Sequence, residues 1–249
     1  MNGFDIRAGW MNASGILGFA PTDVPAHWPA PVAFVTNPVS AHRRIPAEAR
    51  SVQRFDGGVL VHTGWPNPGL RRVLQAYALR WARSPWPVWV HLLADEASEL
   101  QGMVRRLEEV EGVQALEISL SPAAEANAAA VLSAAQGELP VLLRIGVDQV
   151  REGWLPSALQ TGVSGLVLGA PRGRLINLKG ELAQGRLYGP ALTPIALQAL
   201  ENAQRWKLPV ICGAGMLAPE QGDAALKLGA AAIQIDIALW QQAMSPVKK

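Results

Sequence analysis

Cysteine is all but missing from this chain. Cys212 stands alone among 249 residues, which excludes an intramolecular disulfide and any multi-cysteine zinc or iron–sulfur site. Charge is sparse too: 17% of residues are charged against 49% hydrophobic, with a formal net charge of +2, so burial can offset the ordering entropy and disorder is excluded. The basic residues are dispersed rather than gathered in a stripe, and composition gives no support for a nucleic-acid partner. No apolar run approaches the roughly 18 residues of a membrane span. The opening residues, with Asp5 and Arg7, lack the basic-then-apolar order of a secretory leader, so a cytoplasmic protein is expected. His27, His42, His62 and His91 have no metal-ligand spacing, and no metal site is expected.

What the chain does have is a rhythm. Short, nearly continuous apolar runs at 88–93, 115–120, 140–145, 165–170, 209–213 and 231–236 alternate with helical patterns near 96–110, 122–136, 150–160, 194–205 and 217–228. Continuous apolar strands are those of a parallel sheet covered on both faces. Pro87, Pro140 and Pro209 stand where strands begin, where a missing N–H costs least. Residues 32–35 and 11–13, after an opening segment at 4–6, bring the total to eight strands, the arithmetic of a single (β/α)8 TIM barrel spanning 1–249. A doubly wound open sheet is the competing architecture. Two regions break the rhythm. Residues 19–31 hold Pro21, Pro25, Pro29 and Pro31, too many for a full first helix; residues 171–190 form a hairpin-like insertion after strand six.

Three stretches carry a resemblance. They are Met11-Asn12-Ala13-Ser14-Gly15; the loop Gly64-Trp65-Pro66-Asn67-Pro68-Gly69; and Gly185 to Pro194, continued by Pro209 to Met216 and Leu228 to Ile235. In order and spacing, from about residue 8 to 240, the chain resembles the dihydroorotate dehydrogenase family, the FMN barrels of pyrimidine synthesis. That resemblance implies a TIM-barrel flavoprotein and an FMN-dependent oxidoreductase acting on a CH–CH bond.

Carried over position by position, the resemblance assigns Ala13, Ser14 and Gly15 to a flavin-contacting turn, and Gly189, Ala214 and Gly215 to the cofactor-binding face. Backbone N–H groups after the last two strands would cradle the phosphate there. The family's two flavin-supporting lysines correspond to Asn37 and Arg144. Arg144 either meets a ligand or pairs with a carboxylate, Glu117 on the neighbouring strand being the candidate. After the last strand stand Asp236 and Ile237 in place of a small Gly-Thr pair, and an ionised Asp236 would repel a phosphate by about 4 kcal/mol at 4 Å. The four asparagines that hold the family's substrate correspond to Val61, Ser119, Ala124 and Ala170. Ser121 is the one candidate for the catalytic base, against its alternative as helix N-cap ahead of Pro122.

Two function classes follow. One is a dihydroorotate dehydrogenase-like enzyme with altered or lost activity. The other is a non-catalytic barrel homologue, acting as a scaffold or regulatory subunit, or binding another small anion through Arg144, Arg172, Arg174 and Arg186. The expected partner is a small-molecule ligand on the barrel face or another protein, in a homo- or hetero-oligomer. Trp81, Trp86 and Trp89 mark either a subunit interface or buried core.

Overall fold

The computed structural model describes residues 4–21, 27–47, 51–176 and 180–239. In chain order the elements are β1 (Trp10–Asn12), β2 (Phe34–Val35), β3 (Ser51–Phe55), β4 (Gly58–His62), α1 (Leu70–Ala82), β5 (Val88–Ala94), α2 (Ala97–Glu108) and β6 (Val113–Leu120). Then come α3 (Pro122–Glu125), α4 (Ala128–Ser133), β7 (Val141–Gly146), α5 (Leu155–Leu159), β8 (Gly165–Gly169), β9 (Arg172–Ile176) and β10 (Leu182–Tyr188). The chain closes with α6 (Thr193–Ala203), β11 (Val210–Cys212), α7 (Asp223–Lys227) and β12 (Ala232–Ile235).

Eight strands pair in parallel in the order β1-β12-β11-β8-β7-β6-β5-β2, with helices outside: the (β/α)8 barrel. The end strands β1 and β2 are too short to share a ladder. A side chain joins them instead: Asn12 Nδ2 donates to the Val35 carbonyl at 2.6 Å, and the Val35 N–H donates to Asn12 Oδ1 at 3.0 Å. A primary amide offers the donor and acceptor of one peptide unit, so Asn12 does the work of a missing strand residue. The Val32 N–H to the Trp10 carbonyl (2.8 Å) and Ser14 Oγ to the Thr36 carbonyl (2.8 Å) extend the seam.

In the opening segment, Phe4 and Ile6 pack beneath the barrel, with the Phe4 ring 5.6 Å from that of Trp89. Two expectations are corrected. The helix at 122–136 is two short helices, because Asn127 leaves helical geometry between them (φ −117°, ψ 27°). The helices at 150–160 and 217–228 shrink to α5 and α7, one preceded by the 3-10 turn Val147–Gln149 and the other by Pro219–Gly222. The proline-rich stretch forms no helix in its described part; Pro25 lies outside the described residues.

The insertion at 171–190 is a hairpin, β9 against β10; Asn177 and Leu178 lie outside the described residues. It is also only half of a larger element. β3 and β4 form a second hairpin, and β10 pairs with β4, giving a four-stranded antiparallel sheet in the order β3-β4-β10-β9. Glycine allows the two hairpins to meet closely: a Cβ on Gly185 would stand 2.5 Å from the Val61 carbonyl oxygen.

Two apolar clusters divide the core. The larger lies between strands and helices, and the smaller fills the lower barrel with Met11, Val35, Trp89, Leu142, Val167 and Ile211. Trp81 and Trp89 are buried in these clusters and Trp86 is half-buried against the larger one. Among the described residues no helix is long and apolar enough to cross a membrane.

Candidate functional site

Strand alternation determines what reaches the barrel axis. Two residues above the apolar floor of Trp89, Ala115, Leu142 and Ala232 come His91, Glu117, Arg144 and Gln234, which form a buried polar layer. Glu117 is its hub. Its Oε1 lies 2.9 Å from His91 Nδ1 and accepts from Arg144 Nη1 at 3.1 Å, while its Oε2 accepts from Gln234 Nε2 at 2.6 Å. Arg144 Nη1 also donates to Gln234 Oε1 at 2.7 Å. Gly169 leaves space for this layer, since a Cβ there would stand 2.6 Å from Arg144 Nη2.

Burial by itself would raise the Glu117 pKa; the Arg144 charge, His91 and the Gln234 amide outweigh it and hold the group at about 2. Burial lowers the His91 pKa, against the pull of Glu117. The imidazole is therefore neutral, and its carboxylate partner selects the tautomer with the proton on Nδ1. Of the two readings of Arg144, pairing with Glu117 is the one the geometry displays.

Above this layer the four-stranded sheet overhangs the barrel mouth. Trp65 and Arg186 stack on the axis: the Trp65 ring centroid is 6.4 Å from that of His91, and the Arg186 guanidinium lies 5.8 Å from the Trp65 centroid. Arg186 Nη1 donates to the Ala170 carbonyl at 2.9 Å. Burial, with Arg172 and Arg144 nearby, lowers its pKa to about 10. Trp65 holds its place with left-handed backbone (φ +51°), its N–H donating to Thr63 Oγ1 at 3.1 Å. The gap remaining between Ser14, His91, Arg144, Ala170 and this stack is about 20 Å³, room for one water-sized group. Outside the stack, between sheet and barrel, opens a cavity of about 450 Å³. Arg44, Arg172, Arg174 and Arg186 line it together with Trp65 and Tyr188. Arg44 is paired with Asp95 at 3.3 Å, and Arg172 with Glu125.

The remaining expected site residues are placed as follows. Ala13 is buried, Ser14 serves the β1–β2 seam, and Gly15 turns the chain at φ +88°. Asn37 Oδ1 accepts the Gly18 N–H at 3.0 Å. Gly189 lies against the first hairpin, where a Cβ would be 2.2 Å from the Gly57 carbonyl oxygen. Ala214 is buried without positive φ, and Gly215 (φ +76°) packs on the start of α6. Ser121 lines the cavity and is also the N-cap of α3, its Oγ accepting the Ala124 N–H at 3.2 Å. Val61 and Ser119 face the cavity, whereas Ala124 is buried. Cys212 is a buried core thiol, which burial pushes up to about 12.

Asp236 stands after the last strand as expected, in surroundings that oppose its ionisation. The side chain is buried, its Oδ1 accepts the Ile237 N–H at 2.6 Å, and burial raises its pKa to about 7. The N–H groups of Ile237 and Gly215 and the Arg144 charge pull the other way without prevailing. The Ile237 N–H belongs to a turn that would cradle a flavin phosphate, and the chain's own carboxyl already takes it, while the buried Oδ2 has no hydrogen-bond partner among the described residues. With a carboxyl in the cradle and the axial gap reduced to about 20 Å³, the residues present do not fit FMN.

Sequence reasoning found Glu117 as a partner for Arg144, but missed Gln234. The signal was available: in Ala232-Ile233-Gln234-Ile235 strict alternation sends Gln234 inward beside Ala232.

No family model matches the chain. It is 26% identical, over 95% of its length and 84% of the relative's, to the catalytic subunit of dihydroorotate dehydrogenase B (NAD(+)) of Desulforudis audaxviator (strain MP104C). Its fold superposes with a TM-score of 0.69 on dihydroorotate dehydrogenase of Eimeria tenella, crystallised with ferulenol, at 12% identity over 94% of this chain and 77% of that one. The chain thus shares its barrel fold with one dihydroorotate dehydrogenase and a quarter of its residues with another, a divergent similarity to the dihydroorotate dehydrogenase family.

Proposed function

We propose that this dihydroorotate dehydrogenase-like barrel does not carry the FMN-dependent oxidation of its relatives, and instead binds a small organic anion in the cavity between barrel and overhanging sheet. The observation that carries this reading is Asp236, whose buried carboxyl takes the Ile237 N–H in a turn that a flavin phosphate would need. The arginine lining and the volume of about 450 Å³ support the anion; pockets for small molecules run from about 300 to 1,000 Å³. Replacement of the family's substrate-holding amides by Val61, Ala124 and Ala170 supports a ligand other than dihydroorotate, since each lost hydrogen-bond partner costs about 1–3 kcal/mol.

The visible spectrum of the purified protein tests it. The expected outcome is a colourless protein that does not retain added FMN through gel filtration, with Asp236→Gly/Ile237→Thr gaining FMN uptake. A second reading, an FMN-dependent oxidoreductase of the pyrimidine-synthesis type, is favoured by the 26% identity along 95% of the chain. A yellow protein with one FMN per chain, bleached anaerobically by dihydroorotate, would establish that reading in place of ours.

A further inference from the structure

We propose that His91 is a ligand-binding residue: its Nε2 accepts a hydrogen bond from a hydroxyl carried on an aromatic acid whose carboxylate sits among the arginines of the outer cavity. This deepens the anion-binding reading and rests on it.

His91 is buried, and its Nδ1 is committed to Glu117 at 2.9 Å. Neither ring nitrogen makes a hydrogen bond of good geometry among the described residues, but Nδ1 has the Glu117 carboxylate beside it and Nε2 has no polar partner. Because Glu117 is held ionised by Arg144 and Gln234, it claims the Nδ1 proton and leaves a lone pair on Nε2. A buried acceptor without a donor is costly. Here it borders a gap of about 20 Å³. That space takes one hydroxyl and excludes a carboxylate or a ring, so the ligand must reach His91 by a single donor atom.

The rest of the ligand is defined by what stands outside the gap. Trp65, Ser119, Arg186 and Tyr188 line both the gap and the outer cavity, and so form the wall between them. Displacing the Trp65 ring from its place over His91 joins the two spaces. Trp65, Tyr188 and Arg186 stand on the wall shared with the gap and Arg174 lines only the outer cavity, so a flat body lies along the aromatic rings with its carboxylate toward Arg174 and within the reach of Arg186. Arg144 is not needed for the carboxylate, since Glu117 and Gln234 already engage it. A flat acid with its hydroxyl across the ring from its carboxylate matches these three requirements.

The probes are 4-hydroxybenzoate and benzoate, titrated calorimetrically into the full chain. Wild type is expected to bind the hydroxy acid about tenfold more tightly than benzoate, one hydrogen bond's worth. His91→Phe should bind both acids equally. Since that variant strands Glu117 and can fail to fold, 15N spectra of histidine-labelled wild type provide a second readout. The unprotonated Nε2 resonance should move with 4-hydroxybenzoate and stay with benzoate. Equal affinities in wild type, an unmoved Nε2, or a proton already on Nε2 would each overturn the subsite. Benzoate binding that is lost in Arg174→Ala/Arg186→Ala, with no advantage for the hydroxy acid, leaves the anion cavity standing and removes His91 from it. If neither acid binds, both readings fall.

Discussion

The Asn12 side chain closes the barrel onto the backbone of Val35, giving one hydrogen bond to its carbonyl and taking one from its N–H. Both partners are buried, so removing the amide leaves two backbone groups without water or partner. Asn12→Ala is expected to destabilise the fold by about 2–6 kcal/mol, at about 1–3 per orphaned group. Asn12→Asp, which keeps the acceptor alone, should lose at least as much because it also buries a charge. Urea denaturation of the two variants checks this, and a loss under 1 kcal/mol for Asn12→Ala would mean that the seam closes without it.

The polar layer makes a second prediction. Arg144→Met leaves Glu117 buried with too little compensation, at a cost of about 3–5 kcal/mol. Adding Glu117→Gln should recover more than half of that, because the uncompensated charge is gone. Thermal unfolding of the single and double variants measures the coupling; additive losses would show that the ion pair is not the source.

Asp236 makes stability fall as pH rises. Its folded pKa is raised to about 7 from an ordinary value of 3.8, so between these limits the folded state holds a proton that the unfolded state has released. The favourable contribution is complete below 3.8 and is lost as pH climbs through 7. Relative to wild type, Asp236→Asn should gain nothing near pH 4 and on the order of 2–4 kcal/mol above about pH 7. Denaturant midpoints across that range test it; a gain independent of pH would point to packing rather than charge. Glu117, held at about 2 below its usual 4.5, works in the opposite sense, its contribution being present above 4.5 and lost as pH falls toward 2.

Ser121 separates a cap from a base. Ser121→Ala removes the bond to the Ala124 N–H and should cost about 1 kcal/mol of stability, while Ser121→Asp should retain most of it. Benzoate affinity should be unchanged in Ser121→Ala. Loss of a measurable dihydroorotate oxidation in this variant, at unaltered stability, would instead assign Ser121 to catalysis.

Most of the barrel was legible in the chain because each strand announces itself locally, as a short apolar run entered through Pro87, Pro140 or Pro209. The β3–β4 hairpin was legible as well, from Asp56-Gly57 between alternating residues, a two-residue turn signal that the apolar runs overshadow. Its pairing with β10 was not, since residues 59–61 and 186–188 meet only after the barrel has brought their loops together. The site divides in the same way. Arg144 and Glu117 are inward by alternation and two strands side by side, which is sequence information. The use of Asp236 as the occupant of the turn after the last strand, and of Trp65 and Arg186 as a stack over the axis, depends on loops whose course no local pattern specifies.

The sequence by itself determined the period of the elements, the number of barrel strands and which of their residues are apolar, because these follow from spacing along the chain. The tertiary structure alone decided which polar groups satisfy one another. Arg144 and Gln234 are 90 residues apart, yet in the barrel they hydrogen-bond at 2.7 Å around one carboxylate. Desolvation acts on groups according to where closure places them, and it is closure of the barrel that makes His91 neutral, keeps Glu117 charged and turns Asp236 toward its protonated form.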